Sequence, residues 1–325
     1  MTIQDLGRPG YLAYGLSRGG AADRLAIAEG AALLGQPDMA AAVEMAGTGG
    51  TFEATEDIRV ALTGAPMLAQ IDGTNIAWNA SHALPKGARL SIGAATSGTY
   101  GYLHVGGGIE APLLLGARGA HLAAVIGARL SRGDRLAVGV DPGTSTGVKV
   151  DAMPRFDGGP VRILPSFQTS FFAPAEIGRF EASTFRRDSR GNRMGVKLLS
   201  DGPGFQSAAR LSVLSEVIVP GDIQITGDGT PFVLLAECRT TGGYPRIGSV
   251  LPVDLPIVAQ APPGTAFQFQ YVSLEEAVAI ERDASQRNQT LGQSLSSLVR
   301  DPRTMPDLLS FNLIGGVVAG AEDLE

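Results

Sequence analysis

Short apolar runs broken by Gly, Pro, Asp and Ser recur along most of this chain, and helical periodicity is confined to two places. Runs at 58–62, 67–71, 89–92, 100–105, 135–140, 161–164, 211–214, 223–225, 232–235 and 267–271 read as strands. Their brevity and turn-rich punctuation favour barrels or sandwiches over a wound parallel sheet. Residues 21–34 repeat apolar positions at Leu25, Ala28, Ala32 and Leu33, one face of a helix, with the Asp23 carboxylate in the first turn against the helix dipole. Ser273 followed by Glu276 is a capping-box pattern and predicts a second helix start. Three Gly-containing turns that feed strands, PKGARL at Pro85, SRGDRL at Ser131 and PPGTAF at Pro262, form a weak internal echo.

At 325 residues the chain exceeds one comfortable core, which predicts two domains. The turn-rich stretch 141–159 divides them, giving residues 1–150, residues 160–285 and a tail, 286–325. The apolar finish of the tail, 308–318, is expected either to dock as an extra strand or to fray. Hydrophobic residues make up 44% and charged residues 18%, a globular balance, and 44 Gly with 20 Pro suit many short strands joined by turns. A net charge of −6 without a lysine-rich block argues against nucleic acid as a partner. The start carries no charged-then-apolar leader and no apolar run reaches membrane-spanning length, so a cytoplasmic protein is expected. The lone cysteine, Cys238, forbids an internal disulfide and reads as a buried, inert thiol.

Familiar catalytic signatures are missing: no phosphate loop with its lysine, no nucleophile elbow, and three histidines (His82, His104, His121) without metal-ligand spacing. No metal site is expected. The stretch 237–247, ECRTTGGYPRI, instead follows the apolar run PFVLLA with two hydroxyls, two glycines, a tyrosine and two arginines. Glycine pairs let backbone N–H groups approach a ligand, and arginine forks suit planar oxygen groups. A small oxygen-rich molecule would fit, although a hairpin turn with polar decoration is the plainer reading of Gly242–Gly243 alone. Three further candidates are the turn QDLGRPG with Gln4, Asp5 and Arg8, for which an exposed Asp–Arg pair is the bland alternative; Arg193 between glycines in GNRMG; and SEVIVPGDIQ with Glu216 and Gln224.

Together, QDLGRPGY, GLSRGGAADRLAIA, Glu44, LTGA at Leu62, GGGI at Gly106, NRMG at Asn192, SEVIVPGDIQ and TTGGYPRIGSVLPVDL resemble the family of the 5-oxoprolinase C subunit, also called allophanate hydrolase subunit 2-like or biotin-dependent carboxyltransferase. The resemblance runs from residue 2 to about Gln270. It implies a mainly β protein of two cyclophilin-like β-barrel domains with a few short helices. It also implies a protein that is inactive alone and acts with a homologous subunit 1-type partner, like the B subunit of 5-oxoprolinase, and with a protein like the A subunit. The implied activity is ATP-coupled opening of the 5-oxoproline lactam to glutamate, with the ATP site not necessarily on this chain. The alternatives are a biotin-dependent carboxyltransferase for urea or another small amide, and a non-catalytic antagonist of a kinase inhibitor. Carried over by position, Arg239, Thr240, Thr241, Gly242, Gly243, Tyr244, Arg246, Gln224, Glu216, Arg193 and Arg118 would bind substrate or shape its pocket. Gln4, Asp5, Arg8 and Asp23 would be structural or face the partner.

The chain departs from the family pattern in places. The strand that usually precedes the QDLGRPG motif has almost no residues to form it, so either the start is truncated or another segment fills that edge. Glu237, Cys238 and Arg239 replace the usual residues before TTGGY. GARGA keeps Arg118 but lacks its hydroxyl neighbours, and Ala31 and Gln36 replace asparagines in the first helix. A changed substrate, or a role devoted mainly to assembly, would account for these losses.

Overall fold

A computed structural model of the chain describes residues 1–208 and 214–299. Strands dominate, as the punctuation of the sequence requires, and they divide into two differently built halves. In the first half one sheet runs in the order Thr2–Gln4, Ala42–Ala46, Tyr100–Val105, Ile58–Gly64, Ala80–Leu84, Val148–Lys149 and Ser296–Ser297, every pairing antiparallel. A smaller sheet, Thr51–Glu53, Arg89–Ala95, Met67–Ile71 and Thr74–Asn75, lies against it. Val43, Met45, Leu62 and Leu103 of the larger sheet share one core with Met67, Leu90 and Ile92 of the smaller, the apolar faces of both having nowhere else to be buried.

In the second half seven strands close into a barrel in the order Gly159–Leu164, Arg246–Val250, Asp222–Ile225, Pro231–Leu234, Gly195–Ser200, Phe185–Asn192 and Ala266–Tyr271. A parallel pairing between the last and the first closes the ring, which removes every sheet edge. Phe185, Phe267 and Phe269 fill it together with Phe180 and Phe205, and the rings of Phe180, Phe185, Phe205 and Phe269 touch with centroids 4.8–5.8 Å apart.

The first expected helix forms as Arg24–Leu34. Asp23 is its N-cap, accepting from the Ala26 amide at 3.1 Å, and Gly35 closes it at φ 61°. The Ser273–Glu276 capping box is complete and begins a helix, Leu274–Thr290, that runs past residue 285. Beyond it Ser296–Ser297 returns to pair with Val148–Lys149 of the first half. Thr2–Gln4 is itself an edge strand, so the residues at the start of the motif form that edge themselves. The expected strand at 135–140 is reduced to a single bridge between Val138 and Ile109. Most of the expected strand at 211–214, and the apolar finish at 308–318, lie outside the described residues. Among the described residues no helix is long and apolar enough to cross a membrane.

Candidate functional site at the barrel rim

The strand Pro231–Leu234 does not turn straight back into Arg246–Val250. After Leu235 the chain turns at Ala236 and Glu237, the Cys238 amide donating back to the Leu235 carbonyl at 2.9 Å, and Thr241–Gly242 pairs antiparallel with Glu216–Val217. This two-stranded flap lies outside the barrel and brings two separate sequence candidates together. Beneath it Arg246 donates from Nη2 to Glu216 at 2.7 Å, and from Nη1 to the Val217 carbonyl at 3.1 Å and to Asp222 at 3.3 Å. Gln168 joins them: its Oε1 accepts from the Arg246 amide at 2.9 Å and its Nε2 donates to Glu216 at 2.7 Å. The Arg246 fork is therefore held by this chain's own acceptors, so it sets the shape of the rim.

Gln224 differs. It is 7% exposed, and its Nε2 has no hydrogen-bond partner among the described residues. A Cβ placed on Gly242 would lie 2.5 Å from that nitrogen, so a larger residue there would push the Gln224 amide aside. A buried donor without an acceptor costs on the order of 1–3 kcal/mol, which a ligand oxygen or ordered water would recover. Around it Arg239, Thr241 and Tyr244 are exposed, and Thr240 and Gly243 half-buried. Cys238 is buried, and burial followed by the nearby Asp222 charge pushes its thiol up to about 12, which makes it inert as a nucleophile.

Arg193 and Arg118 lie elsewhere. Arg193, in the turn between two barrel strands, donates from Nε to Glu237 at 2.6 Å and also binds Glu44 and the Gly20 carbonyl, tying the second half to the first. Burial alone pulls its pKa down, but Glu44 and Glu237 together outweigh that and the net shift is upward. Glu44 accepts further from Tyr102 at 2.7 Å and from the Ala22 amide at 2.8 Å. A second buried knot stands beside it: Arg155 donates to Asp23 at 2.6 Å and bidentately to Glu29 at 3.0 and 2.6 Å, and Gln260 donates to Asp23 at 2.8 Å. Both oxygens of Asp23 are thus bonded within this chain.

The turn at the start is not the exposed ion pair of its bland reading. Asp5 and Arg8 are both buried and do not bond each other. Asp5 accepts from the Gly7 amide at 2.8 Å and the Arg118 amide at 2.6 Å, while the Arg118 side chain donates to the Ala111 carbonyl. Gln4 donates to Thr2 and to the Ala120 carbonyl, both at 3.1 Å. Arg8 donates to the carbonyls of Gly119 and Leu114, and its Nη1 is without a partner among the described residues.

Sequence reasoning missed Gln168, Asp222, Arg155 and Gln260, whose roles depend on contacts distant in sequence, and it missed the pairing of His121 with Ser17. In that pair His121 Nε2 lies 2.8 Å from Ser17 Oγ, while Nδ1 accepts from the Ala124 amide at 3.2 Å. The proton therefore sits on Nε2 and is donated to the hydroxyl, the wrong tautomer for a general base. Burial lowers the His121 pKa and keeps the ring neutral. Among the described residues no group of three or more His, Cys, Asp or Glu is placed to hold a metal ion.

A barrel joined to a two-sheet partner through buried arginine knots, with a flap over the rim, is the architecture of a known class. Residues 14–271 match the model of the carboxyltransferase domain, subdomain A and B, and the chain belongs to this family. It is similar to the C subunit of 5-oxoprolinase from Haemophilus influenzae, 32% identical over 285 residues that cover 86% of this chain and 91% of the relative. It is likewise similar to the C subunit from Escherichia coli K12, 34% identical over 290 residues covering 87% and 91%. Urea amidolyase of Saccharomyces cerevisiae is 26% identical over 86% of this chain but only 16% of its own length. The crystal structure of TTHA0988 superposes with a TM-score of 0.75 at 31% identity, covering 83% of this chain and 53% of that one, so this chain spans about half its length. The urea carboxylase of Kluyveromyces lactis superposes with a TM-score of 0.80 over 93% of this chain and 30% of that one; at 21% identity the likeness is one of fold.

Proposed function

We propose that this chain is the C-type subunit of an ATP-dependent 5-oxoprolinase that opens 5-oxo-L-proline to L-glutamate, and that it is inactive alone. The observation that carries this reading is similarity: the chain is 32% and 34% identical to two 5-oxoprolinase C subunits over 91% of each, whereas urea amidolyase is 26% identical over 16% of its own length. In this reading its companions are a B-like homologue and an A-like protein.

The chemistry suits the rim. A lactam is a resonance-stabilised amide. Transfer of the γ-phosphoryl group of ATP to its oxygen releases ADP; water adds to the ring carbon, the C–N bond breaks as the nitrogen takes a proton, and hydrolysis of the resulting acyl phosphate releases inorganic phosphate and leaves the glutamate carboxylate. The buried Gln224 amide would donate to a substrate oxygen, with Thr240, Thr241 and Tyr244 closing the polar edge and Glu216, Gln168 and Arg246 holding the flap in register. ATP would bind in the assembled complex, on this chain or another. The second reading, a biotin-dependent carboxyltransferase acting on urea or a related amide, is favoured by the family model itself.

Purified with its B-like and A-like partners, the chain is expected to support glutamate formation from 5-oxoproline with matching ATP hydrolysis, and to show none by itself. Glutamate formation that persists when this chain is omitted, or biotin-dependent carboxylation of urea in its place, rejects the proposal.

A further inference from the structure

A cavity of about 350 Å³ lies between the two halves, next to the start of the rim loop. Leu12, Leu16, Val219, Leu235, Leu255 and Pro256 give it a mostly apolar wall. Among the described residues its charged lining is all of one sign: Arg8, Arg18 and Arg24 line it, and no Asp or Glu does. The three guanidinium groups border one small, largely apolar space, Arg8 buried, Arg18 half-buried and Arg24 exposed, and an anion would relieve their mutual repulsion.

Their donors are incompletely used. Arg8 is 1% exposed and its Nη1 has no acceptor among the described residues. Arg18 donates from Nε to the Leu6 carbonyl at 2.9 Å, and the Arg24 side chain has neither a hydrogen bond nor an ion pair among the described residues, although it is the first residue of a helix. The nearby carboxylates are engaged elsewhere: Asp5 by the amides of Gly7 and Arg118, Glu237 by Arg193 and the Ala123 amide. Burial, and after it the Arg18 charge, holds the Arg24 guanidinium below its ordinary pKa, while Asp38 and Glu281 oppose that shift. Burial likewise lowers Arg8 against the opposing fields of Asp5 and Glu237.

We propose that this cavity binds a small carboxylate with a compact apolar body, the carboxylate meeting Arg8, Arg18 and Arg24 and the body resting on the apolar wall. Resting on the proposed function, this names where the carboxylate of the substrate is held, apart from the rim that would meet its amide. The forks match planar, two-oxygen groups, and the apolar wall disfavours a bare, strongly hydrated inorganic anion. Both halves of the chain contribute, so the site exists only when they are docked.

Calorimetric titration of the full chain separates the possibilities. 5-Oxo-L-proline and cyclopentanecarboxylate are expected to bind, and 2-pyrrolidinone, which keeps the lactam but lacks the carboxylate, is not. Arg24→Gln should weaken both carboxylates about tenfold or more, the loss of one charge-assisted contact, without changing the melting temperature, since the Arg24 side chain makes no hydrogen bond among the described residues. Arg8→Lys is a second probe, read only where its unfolding curve matches that of the parent. Absence of binding by either carboxylate, unchanged affinity in Arg24→Gln, or inorganic phosphate binding as tightly as the carboxylates would overturn the assignment. Carboxylate binding without 5-oxoproline turnover in the assembled complex would leave this site standing and reject the proposed function. Turnover with no carboxylate binding to this chain would do the reverse.

Discussion

The loop from Glu237 to Arg246 begins in one polar cluster and ends in another, and the two are built on opposite principles. At its start Glu237 enters the junction between halves, where Arg193, Glu44 and Tyr102, with Arg155, Asp23, Glu29 and Gln260 beside them, form a buried network of closely paired charges. At its end Arg246 anchors the rim, where Glu216 is half-exposed and Gln224 has a donor with no acceptor. A saturated buried network holds two pieces of chain in one arrangement and has nothing left to offer a ligand. An unsaturated one is less stable by itself but ready to bind. Unmet hydrogen-bonding capacity, and not charge density, is therefore the ground on which a ligand is proposed at the rim.

The contrast is broken most forcefully at the junction. Arg155→Met leaves Asp23 and Glu29 buried without their cation and is expected to lose about 3–5 kcal/mol in chemical denaturation; a loss below about 1 kcal/mol would mean that the knot is not dry. Next comes Gly30→Ala. A Cβ there would lie 2.3 Å from the His104 ring beneath the first helix, so a loss of about 1–3 kcal/mol from overpacking is expected, again by denaturation.

His104 sharpens the same point through pH. Burial pushes its pKa down from 6.5 to about 3, while its Nε2 contacts Thr63 Oγ1 at 2.7 Å. The folded ring stays neutral where the unfolded ring takes up a proton. Stability is thus complete above about pH 6.5 and falls toward pH 3, by up to about 1.4 kcal/mol per pH unit from this group. Denaturation curves between pH 7 and pH 4 should show a shallower fall in His104→Gln than in the parent.

The smallest effect on stability is expected at the rim. Gln224→Leu removes a buried donor that bonds nothing, so folding free energy should change by less than about 1 kcal/mol, whereas glutamate formation by the assembled complex should drop at least tenfold. Near-parental activity would move the site away from Gln224. Arg246→Ala is a different experiment: it strands Asp222 and frees the flap, so any lost activity comes with lost stability.

Much of the strand pattern was legible because burial leaves a local trace. Met67–Ile71 and Tyr100–Val105 form over the runs from which they were expected, and the capping box at Ser273 begins its helix. Phe185–Asn192, with sequence FRRDSRGN, was not legible. It is a barrel strand because Gly195–Ser200 and Ala266–Tyr271 flank it, and its own side chains barely alternate in polarity. At 135–140 the opposite occurred: an apolar run found no continuous partner and made only one bridge. The rim residues were named as separate motifs, but nothing local to Arg246 distinguished a fork held by Glu216 and Asp222 from one left open for a ligand.

What the chain order determined by itself was the inventory: many short strands, a capped helix toward each end of the described fold, a loop rich in donors, and the family these motifs belong to. Those properties follow from neighbours a few residues apart, through backbone preference and side-chain alternation. Tertiary structure decided which charges cancel and which donors are left over. Asp23 meets Arg155 and Gln260 across 132 and 237 residues of chain, and electrostatic pairing depends on separation in space, which no local pattern encodes.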